Sequence, residues 1–97
     1  MPMIIATGQC KDAQRWEKGF RSHAELFRLQ SVVSPIQFSV NDNNYFALLF
    51  EAEDLEKYQD ILESDATADA LASDGVVLDS IKVFLLDREL DITPPPA

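Results

Sequence analysis

Tyr45-Phe46-Ala47-Leu48-Leu49-Phe50 places six apolar residues in a row. Successive side chains of a strand point to opposite faces, so Phe46, Leu48 and Phe50 fill one face and Tyr45, Ala47 and Leu49 fill the other. A strand that is apolar on both faces belongs inside a sheet covered on both sides. The chain's own helices can supply one cover. The second is expected from another copy of the molecule.

Upstream, Asn41-Asp42-Asn43-Asn44 is a turn by residue type, because Asn and Asp tolerate left-handed backbone and bond their own main chain. It joins the apolar run to a strand predicted over Val32–Val40, with Ile36, Phe38 and Val40 on one face. Pro35 lacks the N–H that a central strand donates, which puts this strand at an edge. From Ala13 to about Leu29 the apolar spacing is helical: Ala13, Trp16, Phe20, Ala24 and Phe27 form one stripe. Asp12 stands where it can cap that helix, and Met3–Thr7, ending at Gly8, reads as a first strand.

Downstream, Leu55, Tyr58, Ile61 and Leu62 supply the stripe of another helix, opened by Glu51-Ala52-Glu53-Asp54. Ser64 or Asp65 caps a second helical piece running to about Ser73, and Gly75 ends it. Ser80–Leu86 sets Ile81, Val83 and Leu85 against Lys82, Phe84 and Leu86, giving a fourth strand. The predicted domain covers residues 1–90. Residues 91–97 are a Pro-rich tail, extended through Pro94-Pro95-Pro96.

The order strand, helix, strand, strand, helix, strand is that of an α+β, ferredoxin-like βαββαβ fold. Its four-stranded antiparallel sheet carries both helices on one face. The third strand is then central and the second lies at an edge, which suits the apolar run and Pro35. The open face carries apolar rows from several strands. A patch of that kind usually marks an interface, so a homodimer joined through its sheets is expected.

Composition narrows the partners. The 97 residues hold 17 acidic and 8 basic side chains, a net charge of −9 that repels phosphate backbones and anionic lipid. Neither nucleic acid nor membrane is expected as a partner. Cys10 is the single cysteine, so no internal disulfide and no thiolate metal cluster can form. Met1-Pro2-Met3-Ile4-Ile5 has no basic region leading into a long apolar run, and a soluble, cytoplasmic protein is the expectation.

Few residues are suited to chemistry. His23 is the one histidine and the natural general base, or haem ligand, one turn after Gly19. The competing account makes it a half-packed boundary residue. Gly19 either leaves room for a ligand or lets the helix approach a neighbour. Trp16, Phe20, Phe27 and Phe38 could line a pocket for a flat apolar molecule, or could be plain core. Cys10 stands two residues after Gly8 near a helix start, where a thiolate is favoured, but with no second histidine and no known motif around it a nucleophile is not the expectation. Asp65 and Asp69 share a helix face, but a solvated surface explains them better than a metal site.

The runs Trp16-Glu17-Lys18-Gly19-Phe20-Arg21-Ser22-His23 through Phe27, and Phe50-Glu51-Ala52-Glu53-Asp54 with Leu62-Glu63-Ser64, Ala70-Leu71 and Gly75-Val76, resemble the two halves of the dimeric α+β barrel superfamily. The likeness is one of layout and spans roughly Met3 to Leu86. It extends to antibiotic-biosynthesis monooxygenase-like and stress-responsive barrel proteins. It implies a barrel closed by two sheets across a dimer, with ligand held between sheet and helices of each subunit. The implied activity is that of a cofactor-free monooxygenase, cyclase or isomerase acting on a small apolar or aromatic metabolite, with His23 as its catalytic residue. The ligand would be bound by Trp16, Gly19, Phe20, Phe27 and Phe38. The alternatives are a non-catalytic binding or stress-response module of the same fold and, further off, an amino-acid sensor. No cofactor is expected, haem being the lesser option, because Trp16 and His23 share one helix and do not reproduce the haem-degrading arrangement.

Overall fold

In the computed structural model, which describes residues 2–94, the apolar run forms β3 over Tyr45–Glu51. Phe46, Leu48 and Phe50 are buried while Tyr45 and Ala47 are exposed, the alternation that a strand's side-chain period requires. β1 (Met3–Gln9) runs antiparallel beside it, with Ile4 opposite Phe50 and Ala6 opposite Leu48. β2 (Gln37–Val40) pairs along the other side of β3, and β4 (Lys82–Leu86) pairs with β1. The order across the sheet is β2-β3-β1-β4, so β2 is an edge and the apolar run is internal. This is the α+β, ferredoxin-like arrangement of four antiparallel strands with helices on one face.

The expected helix over Ala13–Leu29 is in fact two, α1 (Ala13–Arg21) and α2 (Ala24–Leu29). The Ser22 N–H and hydroxyl both donate to the Gly19 carbonyl, and the His23 N–H donates to that of Phe20. These bonds back across three residues tighten the end of α1 and turn the chain at His23. The start of α1 is as expected, since Asp12 Oδ1 accepts from the N–H groups of Gln14 and Arg15.

Strand limits differ from expectation too. Of Val32–Val40 only Gln37–Val40 is strand, and Val32 makes a lone bridge to Ala52. Pro35 has no N–H for a ladder, and nearby the Ser34 hydroxyl takes the Glu51 N–H in place of a backbone carbonyl. β1 in turn runs on through Gly8 and Gln9, which pair with Phe46 and Tyr45 of β3, and the ring of Phe46 lies over Gly8: a Cβ there would sit 2.6 Å from Phe46 Cζ. Only glycine lets strand and ring come so close.

The second half follows the sequence closely. Asp54 caps α3 (Leu55–Leu62), Ser64 caps α4 (Asp65–Ser73), and Gly75 follows α4 at φ +75°. A short 3-10 turn over Leu78–Ser80 leads into β4, which starts at Lys82 and not at Ser80. The Asn41–Asn44 turn forms too, with Asn44 at φ 64° and Asn41 Oδ1 accepting from the N–H groups of Asn43 and Tyr45.

The core sits between the sheet and the helices. Ile4, Ala6, Phe46, Leu48 and Phe50 rise from the sheet to meet Trp16, Phe20 and Tyr58. The opposite face carries Ile5, Tyr45, Leu49, Phe84 and Leu86, and Tyr45, Phe84 and Leu86 are about half exposed. Beyond β4, residues 87–94 form no regular element, and Leu90 and Ile92 are exposed. The rest of the tail expected to be extended, Pro95-Pro96-Ala97, lies outside the described residues.

Candidate functional site

The 3.6-residue period of α1 stacks Phe20 on Trp16, ring centroids 4.9 Å apart, and Trp16 in turn stacks on Phe46 of β3 at 4.6 Å. Phe38 meets both Trp16 and Phe20 edge-on, and Phe27 meets Phe20 in the same way. Beside this group, under α2, α3 and α4, lies a cavity of about 80 Å³ floored by Phe46, Leu48 and Phe50. Its polar exceptions are His23, Asp74, Gln30, Thr67 and Tyr58.

His23 and Asp74 form a pair. Nε2 of His23 stands 3.1 Å from Oδ1 and 3.0 Å from Oδ2 of Asp74, although 51 residues separate them in the chain. The break between α1 and α2 presents the imidazole, and the C-terminal end of α4 presents the carboxylate. The side chain of Asp74 is 7% exposed and that of His23 is 25% exposed. A buried carboxylate needs such a partner, because an unpaired charge out of water is expensive. Arg15, on α1, donates to the Ser73 carbonyl and braces the same end of α4.

Tyr58 and the pair Gln30–Thr67 complete the polar lining. Burial pushes the Tyr58 phenol up to about 12, so it stays protonated at any ordinary pH. Gln30 Nε2 lies 3.4 Å from Thr67 Oγ1, and both residues are almost fully buried.

Of the residues expected to bind a ligand, Trp16, Phe20, Phe27 and the candidate base His23 line the cavity. Gly19 and Phe38 do not. Gly19 faces Asp74, whose Oδ1 would lie 1.9 Å from a Cβ at that position, so the glycine makes room for the carboxylate and not for a ligand. Phe38 backs Trp16 and Phe20 from the edge strand, with the Arg21 guanidinium 5.0 Å over its ring. Cys10 is no nucleophile. Its thiol is buried, donates to the Asn44 carbonyl at 3.4 Å and is pushed up by desolvation, which keeps it neutral.

Haem does not fit this site. Nε2 of His23 is taken by Asp74, and 80 Å³ holds no porphyrin. Among the described residues no group of three His, Cys, Asp or Glu side chains is placed to hold a metal ion. Reading along the sequence missed Asp74, because Ser73-Asp74-Gly75 looks like an ordinary helix end. It also missed Gln30 and Thr67, whose signal is only that both are polar at positions continuing an apolar stripe.

No protein-family model and no curated protein sequence matches the chain. Solved structures do share its fold. A crystal structure of an antibiotic biosynthesis monooxygenase matches with TM-score 0.65 and 14% identity, over 93% of this chain and 100% of that one. A protein from Bordetella bronchiseptica assigned to the same class by proposal matches with TM-score 0.67 and 14% identity, over 93% and 100%. SnoaB, a cofactor-independent oxygenase from Streptomyces nogalater, matches with TM-score 0.66 and 10% identity, over 96% and 97%. At these identities the likeness is one of fold. It is the fold of the antibiotic-biosynthesis-monooxygenase type that the layout of the sequence resembles.

Proposed function

We propose that the chain binds a small apolar or aromatic molecule between sheet and helices and acts on it as a cofactor-free oxygenase, with His23 as general base. The observation that carries this reading is the His23–Asp74 pair on the wall of a mostly apolar cavity. With Nε2–H donated to the carboxylate, Nδ1 holds the lone pair, and Asp74 keeps the ring in that tautomer. Taking a proton from an acidic methylene of the bound molecule leaves a carbanion, which is itself a reductant for dioxygen. The balance is one dioxygen consumed, one oxygen atom left on the carbon as a carbonyl, and the other released as water with the two hydrogens. Apolar walls favour this by keeping solvent from reprotonating the anion. The shared fold of SnoaB supports the assignment. The same proton removal without dioxygen would serve an isomerase or cyclase.

The alternative is a non-catalytic binding module, and the small interior volume bears on it. The cavity of about 80 Å³ is smaller than the roughly 150 Å³ known to admit benzene, so a ligand must open it. For either reading a second copy of the chain is the proposed cover of the open sheet face, on which Ile5, Tyr45, Leu49, Phe84 and Leu86 lie together.

Native mass spectrometry of the purified protein, followed by oxygen uptake with the molecule that copurifies, tests the proposal. Uptake should fall about 10²–10⁴-fold in His23→Gln while the molecule stays bound. Binding without turnover in the wild type would leave the module reading in its place.

A further inference from the structure

We infer that Gln30 orients the molecule in this cavity by accepting a hydrogen bond from a hydroxyl group on its ring, an inference that rests on the cavity being the binding site. Gln30 follows α2 as its C-cap, as His23 precedes it as N-cap, and both side chains reach the cavity from the two ends of that helix. Gln30 is 2% exposed. A carboxamide carries two donors and an oxygen with two lone pairs, and buried ones are nearly always satisfied. Among the described residues the Gln30 side chain makes one hydrogen bond, the long 3.4 Å contact to Thr67 Oγ1.

Which end of the amide meets Thr67 is settled by Thr67 itself. Its hydroxyl donates to the Ile61 carbonyl at 2.5 Å, as does the hydroxyl of Ser64 at 2.6 Å. The Thr67 oxygen therefore accepts, the Gln30 nitrogen is held toward it, and the Gln30 oxygen is the end left over. Among the described residues no buried polar side-chain atom lacks a partner, so that oxygen is not sealed in protein. Gln30 lines the cavity, and we take that oxygen to face it.

An acceptor at one end of an apolar slot selects a molecule with a donor at one end of an apolar body. A ring-borne hydroxyl fits best, since it brings one O–H without a charge into a site whose walls are mostly aromatic and aliphatic. With the hydroxyl held at Gln30, the far side of the ring turns toward His23. Gln30 is thus a positioning residue. It sets which carbon the base meets and takes no part in moving the proton.

Phenol and toluene are the probes, equal in shape and differing by hydroxyl against methyl. Their affinities are measured for the wild type and for Gln30→Met, a variant of similar length with no strong acceptor. The ratio of phenol to toluene affinity should drop about three- to tenfold in the variant, the value of one neutral hydrogen bond. Nitrogen-resolved NMR of the wild-type Gln30 side-chain amide gives a reading that needs no variant: phenol should shift it and toluene should leave it nearly in place. An unchanged affinity ratio, or equal amide shifts from the two probes, overturns the role of Gln30 and leaves the cavity as a binding site. Failure of both probes to bind removes the cavity reading and this inference with it. A loss of oxygen uptake in His23→Gln bears on the base alone.

Discussion

Oδ1 of Asp74 would lie 1.9 Å from a Cβ on Gly19, so the carboxylate fills the space that any side chain on this face of α1 would need. Helix propensity alone favours Gly19→Ala by about 1 kcal/mol. Here the methyl must push away a buried carboxylate that is held by His23, and we expect a net loss of about 1–3 kcal/mol. In an Asp74→Ala background the same change should become neutral or stabilising. Urea denaturation of the four proteins of this cycle measures the coupling, and a stabilised Gly19→Ala single variant would contradict the described contact.

Gly8 is the counterpart on the sheet. A Cβ there would meet the Phe46 ring at 2.6 Å, and that ring cannot retreat because Trp16 is stacked on it. Gly8→Ala should cost about 1–3 kcal/mol through overpacking. Near-ultraviolet circular dichroism should change with it, since the indole takes part in the stack. Intact stability with an intact aromatic signal would show that the ring has room to move.

Tyr58 gives the fold a pH limit on the alkaline side. Its phenol is pushed up to about 12 by burial, above the value near 10 for an unfolded chain. Between those values the unfolded chain has lost the proton and the folded chain keeps it, so unfolding releases protons and stability falls as pH rises. The full effect is about 3 kcal/mol, at ~1.4 kcal/mol per unit, complete once the folded-state value is passed. Tyr58→Phe should flatten that part of the profile. Denaturation curves near pH 9 and near pH 11 make the comparison, and equal slopes for both proteins would mean that burial does not hold the proton.

Leu48 and Leu49 separate the two faces of β3. Leu48 packs against the helices, while Leu49 lies on the open face opposite Ile5 of β1. Leu48→Asp should unfold the chain, because it buries a carboxylate without a partner. Leu49→Asp should leave the fold in place and, if a second copy covers that face, convert a dimer to a monomer in light scattering. A wild-type chain that scatters as a monomer at micromolar concentration would remove the proposed dimer.

Much of this architecture was legible in the residues taken one element at a time. The doubly apolar run at Tyr45–Phe50, the proline at position 35 and the turn at Asn41–Asn44 are local signals, and they fixed an internal strand, an edge strand and the hairpin between them. Caps behaved likewise, since Asp12, Asp54, Ser64 and Gly75 act on backbone groups within a few residues of themselves. The stripe of α1 named Trp16 and Phe20 correctly as inward-facing, because 3.6-residue spacing puts them on one side whatever lies opposite, and Phe27 reaches the same cavity from α2, beyond the break.

What lay opposite was decided only by the fold. Gly19 read either as space for a ligand or as a close approach to a neighbour, because a sequence shows that a side chain is missing but not what fills the gap. The answer, Asp74, arrives from the far end of the chain when α4 docks beside α1. His23 was singled out for its chemistry, yet its partner, its half-buried state and the helix break that presents it all depend on contacts across the chain or on a local tightening that periodicity does not encode. Gln30 and Thr67 carried only the weak signal of polar residues continuing an apolar stripe. A polar residue on an apolar stripe becomes informative only when tertiary packing has used up some of its hydrogen-bonding groups and left one open.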